Sequence, residues 1–401
     1  MLPKGFKVGG ISSYLSNQNL KKDLAIFISD TLANTAGMFT RNIVKAAPVN
    51  VSINRLKNRE KFFGIVANSG CANACTGSKG EHDAEYVCSF IEKEFNLMNG
   101  SMLCASTGVI GQYFNIVEND FQKKINLLKS NIGTSIKNEN DAVSAIMTTD
   151  TFIKKGYKKV KNKNGEIKIW GCAKGAGMIY PKLQTPLHAT MLSFVLTDAK
   201  ISNKDLQIIL KNSVDQSFNC ISVDGDTSTN DTVLVLANGQ SNTNQLTGND
   251  LINFTKSFNE LMIDLAKSIV KDGEGATKFI EIEIKNAGTK KEARFISSTL
   301  ATSVLFKTSM FGADANWGRI IAAIGRSGVN FDLNKVDIYI DKYQILKNGT
   351  ILSFSEKEIK KTLLKKEINI IIDLKSGTAT YKYYTCDFSY DYIKINGYYR
   401  S

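Results

Sequence analysis

Histidine is nearly missing from this chain: His82 and His188 are the only two among 401 residues. Any Ser-His-Asp or Cys-His device would have to use one of them, and neither KGEHDAEY nor TPLHATM is a familiar nucleophile setting. His82 reads as part of a helix start. With Cys71 and Cys75 it could be imagined as a metal site, but the spacing matches no zinc pattern and small residues in a turn are the better reading. Proline is scarce as well, four against 30 glycines, which removes collagen-like and proline-rich disordered chains. No run approaches the roughly eighteen consecutive apolar residues that a membrane span requires, and the opening MLPKGFKVGG lacks the apolar stretch of a secretory signal. A soluble cytoplasmic protein without membrane contact is expected. The cysteines (Cys71, Cys75, Cys88, Cys104, Cys172, Cys220, Cys386) are odd in number and scattered, so reduced thiols are expected in place of a disulfide framework.

What is present is an ordinary globular composition, 43% hydrophobic and 22% charged, in a chain long enough for two domains or one large one. A formal net charge of +13 invites a nucleic-acid reading, but the distribution argues against it. The densest basic stretch, KKGYKKVKNKNGEIK (154–168), reads as a lysine-rich loop or hairpin around Asn-Gly, and the other lysines are mixed with acids. The charge solvates the surface and favours small anionic substrates over DNA.

Strand-like and helix-like runs alternate, which predicts a mixed α/β architecture. LAIFISD (24–30), KFFGIVANSG (61–70), TVLVLANG (232–239), KFIEIEIKNA (278–287), VDIYIDKYQIL (336–346) and INIIIDLKSG (368–377) read as strands. EYVCSFIEKEF (85–95), LATSVLFKTSMFG (300–312) and NWGRIIAAIG (316–325) have helical spacing. No repeat or low-complexity linker marks a boundary. The alternating strands from about 280 to 385 are expected to form a smaller C-terminal lobe, with the aromatic tail 386–401 joining it or returning to the active site.

With neither histidine in a familiar nucleophile setting, threonine is the next candidate nucleophile. A threonine hydroxyl can be activated by its own α-amino group, whose unperturbed pKa of roughly 7.7–8.0 suits a base near neutral pH, provided that the residue begins its chain. Thr190, in LHATMLSFVLTDA (187–199), would qualify only after the Ala189–Thr190 bond is cut; mid-chain it could equally be a strand-edge threonine. Upstream, KGAGMI (174–179) supplies Lys174 and a flexible Gly-x-Gly turn. CASTGVIG (104–111) offers Thr107 and Gly108, a hydroxyl and a backbone N–H suited to a developing oxyanion. SVDGDTSTNDT (222–232) lacks the calcium-loop pattern and reads as a hydrogen-bonded turn network. DGEGATK (272–278) presents Glu274, a carboxylate able to bind a substrate ammonium.

Taken in order, NSGCANACTG, STGVIG, MTTDT, KGAGMI, ATMLSFVLTDA, VDGDTSTNDT, DGEGATK, GADANWGRI and YTCDFSYDYIKINGYYRS resemble the ornithine acetyltransferase (glutamate N-acetyltransferase) family of arginine biosynthesis, and FTRNIVKAAPV (39–49) fits its N-terminal region. The resemblance implies the α/β sandwich shared with certain self-processing aminopeptidases. It also implies a precursor that splits itself before Thr190 into an α chain (1–189) and a β chain (190–401) that remain associated, usually as two αβ units. Thr190 would then be the nucleophile, and Thr107 with Gly108 the oxyanion hole. Substrate contacts would come from Thr148 (preferred over Thr149), Lys174, Thr190, Glu274, Asn396 and the terminal Ser401, where the family usually has Thr. The implied reaction moves an acetyl group from N2-acetylornithine to glutamate through an acetyl-threonine, with acetyl-CoA a further donor in bifunctional members and no metal or organic cofactor.

YPKLQTPLHAT (180–190) is longer than the corresponding family segment, adding Pro186 and His188 near the scissile bond. Self-cleavage depends on a strained backbone, so this insertion either slows it or bulges outward. Two other readings stay open: a related amidase or aminopeptidase that delivers the acyl group to water, and an uncleaved amino-acid-binding protein. Intact mass and N-terminal sequencing of the purified protein separate the last from the others. Two fragments, the second beginning Thr-Met-Leu-Ser, are expected; a single chain would leave Thr190 without the amine it needs as base.

Overall fold

The computed structural model describes residues 1–13, 15, 22–162, 165–183 and 191–398. The chain divides into two compact units, Met1–Asn219 with Asp226–Ile269, and Cys220–Gly225 with Val270–Arg400. Its strands among the described residues are β1 (Phe6–Ile11), β2 (Leu24–Phe39), β3 (Lys61–Asn68), β4 (Met102–Ser106), β5 (Lys154–Asn162), β6 (Gly165–Lys174), β7 (Leu192–Thr197), β8 (Ile221–Ser222), β9 (Thr232–Ala237), β10 (Phe279–Ala287), β11 (Asp337–Ile340), β12 (Tyr343–Lys347), β13 (Thr350–Ile351), β14 (Glu367–Asp373) and β15 (Ala379–Cys386).

In the first unit the hydrogen-bonded order is β4-β3-β2-β9-β7-β6-β5, with β1 paired to β2. All pairs are antiparallel except β3 with β4 and β7 with β9. β2 is long enough to serve two halves of the sheet: its first part pairs with β1 and β3, its last part with β9, and the register with β3 slips between Ile28 and Ala33. Such an irregularity lets a strand bend sharply. The bend turns the two halves face to face. Phe27 of β2 accordingly has its ring 5.0 Å from Phe194 of β7 and 6.1 Å from Trp170 of β6.

The alternation of side chains along β2 explains why its sequence is apolar on both phases. Ala25, Phe27 and Ala33 enter the core between the halves with Ile65, Leu103, Leu196 and Leu234. Leu24, Ile26 and Ile28 face the other way, against Ala84, Val87 and Ile91 of the helix Gly77–Glu94 and Phe121, Ile125 and Leu128 of the helix Glu118–Asn131. On the opposite outer face, Leu261 and Leu265 of the helix Gly248–Lys271 rest on Gly156 and Gly171, which are paired across β5 and β6. The result is an α/β sandwich. The lysine-rich stretch at 154–168 is the β5–β6 hairpin, not an irregular loop.

In the second unit the order is β13-β12-β11-β14-β10-β15-β8. Ile280, Ile282 and Ile284 of β10 are buried while Glu281 and Glu283 between them are partly exposed, the period-two pattern of a sheet covered on one face. The helix Lys290–Ala301 packs along β10 and β15. VDIYIDKYQIL is a hairpin and not one strand: Ile340 pairs with Tyr343, leaving Asp341 and Lys342 as the turn. Asp341 has φ +49°, a conformation that aspartate tolerates better than most residues. The stretch 300–312 likewise divides, between the helices Lys290–Ala301 and Val304–Phe311, and the tail contains a helix, Tyr390–Tyr398.

One buried ion pair fixes the start of β4. Glu92, with its side chain 1% exposed, accepts from Arg55 Nη1 (2.6 Å) and from the Met102 and Gly100 N–H groups (2.8 Å each). Arg55 also binds Glu85, whose side chain is 46% exposed. Removing one partner of a buried pair strands the other charge, whereas an exposed pair contributes little. Glu92→Ala is expected to lower unfolding free energy by about 3–5 kcal/mol and Glu85→Ala by less than about 1 kcal/mol in urea titrations. Equal losses would contradict this ranking.

Candidate active site

β4 ends at Ser106, and the turn that follows is pinned through its backbone. The Thr107 N–H donates to the Asn68 carbonyl (3.0 Å), the Val109 N–H to Gly70 (3.2 Å) and the Ala72 N–H to Val109 (3.0 Å). Asn230 Nδ2 donates to the Ala72 (2.6 Å) and Ser106 (2.8 Å) carbonyls and so clamps the two loops together. Gly108, between these anchors, has φ +128°, and a Cβ there would lie 2.3 Å from the Gly70 carbonyl carbon. Only glycine fits. Among the described residues the Gly108 N–H has no acceptor.

Lys174 is the last residue of β6 and is only 7% exposed. Its Nζ donates to Thr107 Oγ1 (3.0 Å) and to Thr148 Oγ1 (2.9 Å), so the structure brings together three residues that lie far apart in the chain. Because each hydroxyl oxygen accepts from the ammonium, each hydroxyl proton is left to donate elsewhere. Thr107 O–H and Gly108 N–H are therefore two adjacent donors, the first polarised by a cation. Such a pair is suited to a developing oxyanion.

Asp150 is a member of this cluster that the sequence reading missed. Its Oδ1 accepts from the Gly175 N–H (2.7 Å) and Lys154 Nζ (2.6 Å), and its Oδ2 from the Thr148 N–H (3.1 Å). The Asp150 and Lys154 side chains are fully buried. Burial pushes the carboxyl upward, but the Lys174 and Lys154 charges and the Gly175 N–H outweigh it and hold Asp150 below its ordinary value. The available signal was Asp150 followed four residues later by Lys154 in DTFIK; nothing local places Gly175 beside them.

The second unit brings Glu274 and Asn396 together. Glu274 sits in a turn closed by the Ala276 N–H donating to Gly273 C=O (2.8 Å), with Gly275 at φ +67° as a type II turn demands. Asn396, on the helix Tyr390–Tyr398, donates through Nδ2 to Glu274 Oε2 (2.9 Å) and to the Tyr392 carbonyl (3.1 Å). Both acceptors require nitrogen at that position, so Oδ1 is left as an acceptor. This pair presents acceptors only, as an ammonium needs.

Thr190, Ala189 and Ser401, together with Pro186 and His188 of the long segment, lie outside the described residues. Leu192, two residues beyond Thr190, is paired with Lys174 across β6 and β7. His82 is 80% exposed on the helix Gly77–Glu94. Cys71 is buried, its thiol pushed up to about 11 by burial, and Cys75 is exposed. Among the described residues no group of three or more His, Cys, Asp or Glu could hold a metal ion, all seven cysteines are unbridged, and no helix is long and apolar enough to cross a membrane.

Known proteins match nearly the whole chain. The ArgJ family model matches residues 7–401. The arginine biosynthesis bifunctional protein ArgJ of Caldanaerobacter subterraneus subsp. tengcongensis is 43% identical over 409 residues, covering 100% of this chain and 98% of that protein. The glutamate N-acetyltransferase of Methanocaldococcus jannaschii is 44% identical over 408 residues, covering 99% and 97%. A crystal structure of ArgJ from Bacillus halodurans aligns with a TM-score of 0.51 at 45% identity, covering 52% of this chain and 100% of that one. The sandwich and these relatives define an acyltransferase of arginine biosynthesis. The chain belongs to the ArgJ family.

Asp150's depressed value has a definite pH signature. A carboxyl whose folded value is lowered adds stability that is full above the ordinary Asp value of about 3.9 and is lost as pH falls from there through the folded value. Asp150→Asn is expected to lower unfolding free energy by about 3–5 kcal/mol near neutrality, since it uncouples buried Lys154. The gap should close below about pH 4. A gap that stays constant to strongly acid pH would remove the Asp150 charge from this account.

Proposed function

We propose that the chain cuts itself between Ala189 and Thr190 and then transfers acetyl from N2-acetylornithine to glutamate by double displacement. Thr190 Oγ attacks the acetyl carbonyl while its own α-amine takes the hydroxyl proton. The oxyanion is held by the Thr107 O–H and Gly108 N–H; as it collapses, the C–N bond breaks, the proton passes to the leaving nitrogen, and ornithine departs. The glutamate amine then attacks the acetyl-threonine, N-acetylglutamate leaves, and the Thr190 hydroxyl is restored. Lys174 and Thr148 bind the carboxylate end of the amino acid, and Glu274, Asn396 and Ser401 contribute the remaining polar contacts.

The observation that carries this reading is the pair of bonds from Lys174 Nζ to Thr107 and Thr148, which leaves a polarised hydroxyl beside a Gly108 N–H that has no acceptor among the described residues. Two facts support it. Thr190 precedes Leu192 by two positions in the chain, and the Leu192 backbone is registered against Lys174. In addition, a solved ArgJ chain is matched over 100% of its length by 52% of this chain, as expected where a precursor becomes two pieces. Acetyl-CoA as a further acetyl donor belongs to the same proposal, because several relatives are named bifunctional.

Initial rates with both substrates varied should give parallel double-reciprocal lines, and incubation with N2-acetylornithine alone should leave an acetyl group on the Thr190 peptide. Thr107→Ala should lower kcat about 10²–10³-fold, the usual loss of one oxyanion donor. Steady acetate release without glutamate would instead identify a hydrolase, and a Thr107→Ala enzyme of wild-type rate would exclude that hydroxyl from the oxyanion hole.

A further inference from the structure

We infer that Asp387, in the CDFSYDY stretch to which the reaction gives no role, is a positioning residue that sets the Glu274–Asn396 pair, with Ser389 as its second fastening; this rests on the reading that the pair binds substrate. Asp387 follows β15 directly and is 1% exposed. Its carboxylate accepts from the Thr277 and Lys278 N–H groups (2.8 Å each) and from the Thr277 hydroxyl. These are the two amides between the Glu274 turn and β10. Two residues on, Ser389 Oγ donates to the Gly275 carbonyl (2.5 Å) and accepts from the Asp391 N–H (3.1 Å), which fastens the turn to the first residues of the Asn396 helix. A Cβ on Gly275 would lie 2.3 Å from Tyr392 N, so the helix backbone rests directly on the turn.

The geometry between Glu274 and Asn396 is thus fixed from both ends. Asp387 holds the exit of the turn, Ser389 holds its apex, and both belong to the chain segment that runs into the helix carrying Asn396. The bond from Asn396 Nδ2 to Glu274 Oε2 joins residues 122 positions apart and depends on these fastenings. Without the Asp387 carboxylate the Thr277 amide and the buried Lys278 amide lose their acceptor, the turn shifts relative to the helix, and the acceptor pair opens. Small displacements of a binding group are costly because preorganisation is lost.

The test is a set of kinetic variants of the full chain assayed with N2-acetylornithine and glutamate. Asp387→Ala is expected to raise KM for N2-acetylornithine at least about tenfold with kcat within about threefold, and to leave chain cleavage complete. Asp387→Asn keeps an oxygen for both amides and a nitrogen that can donate to the Thr277 hydroxyl, and it should restore KM to within about threefold of wild type. The decisive comparison is a cycle with Asn396→Ala. If Asp387 acts through the pair, its removal adds less than about twofold to KM once Asn396 is gone; the same factor with and without Asn396 would overturn the inference and leave a merely structural residue. A KM unchanged in Asn396→Ala alone would instead sink the substrate-binding reading, and the positioning role with it. Should Asp387→Ala fail to fold, Ser389→Ala, which removes the bond to Gly275, is expected to raise KM about threefold or more with the same non-additivity, and a wild-type KM there would count against the inference.

Discussion

A nearly buried ammonium must find acceptors, and at Lys174 two of them are the hydroxyl oxygens of Thr107 and Thr148. That requirement organises the first unit. It demands that the end of β6, the turn after β4 and the segment after the helix Ile136–Ser144 converge within a few ångströms. The bend of β2 makes this possible, since it turns the β4 half of the sheet onto the β6 half. Asp150 balances the charge and ties the backbone on both sides of the lysine, at Thr148 and at Gly175. The cluster is therefore held by bonds from strand ends and the turns that follow them.

The second cluster follows a different logic. Glu274 and Asn396 come from segments at opposite ends of the unit's sequence, and the backbone around them is held by side-chain oxygens and a glycine with no room for a Cβ. Where the Lys174 ammonium donates to two hydroxyl oxygens, Asn396 commits both of its N–H donors within the protein and keeps Oδ1 as an acceptor. One cluster suits negative charge and the other positive charge.

Much of this was legible in the sequence, and the unread part has a common cause. The strands were visible where apolar residues ran together, as in LAIFI of β2 and VLVLA of β9, because both faces of these strands are covered. The β11–β12 hairpin was read through as one strand because Asp341–Lys342 carries no glycine to mark the turn. Thr107, Gly108, Thr148, Lys174, Glu274 and Asn396 stood out through their motifs, and two groups of them meet. Asp150, Asn230 and Asp387 were not singled out. Each acts on backbone amides or carbonyls that are distant in the chain, and backbone partners leave no trace in residue identity.

The pairing of β6 and β7 has a consequence for the life of the molecule. Six residues, Ile169–Lys174, form a ladder with Leu192–Thr197, and β7 is bonded on its other side to β9. The Ala189–Thr190 bond lies between these two strands, so a cut there would replace a covalent link by a shared sheet. The two pieces would stay together as long as the sheet is folded. Refolding from the denatured state would then become a meeting of two molecules, second order in concentration, and the native assembly would be kept by the slowness of its unfolding more than by the ease of its recovery.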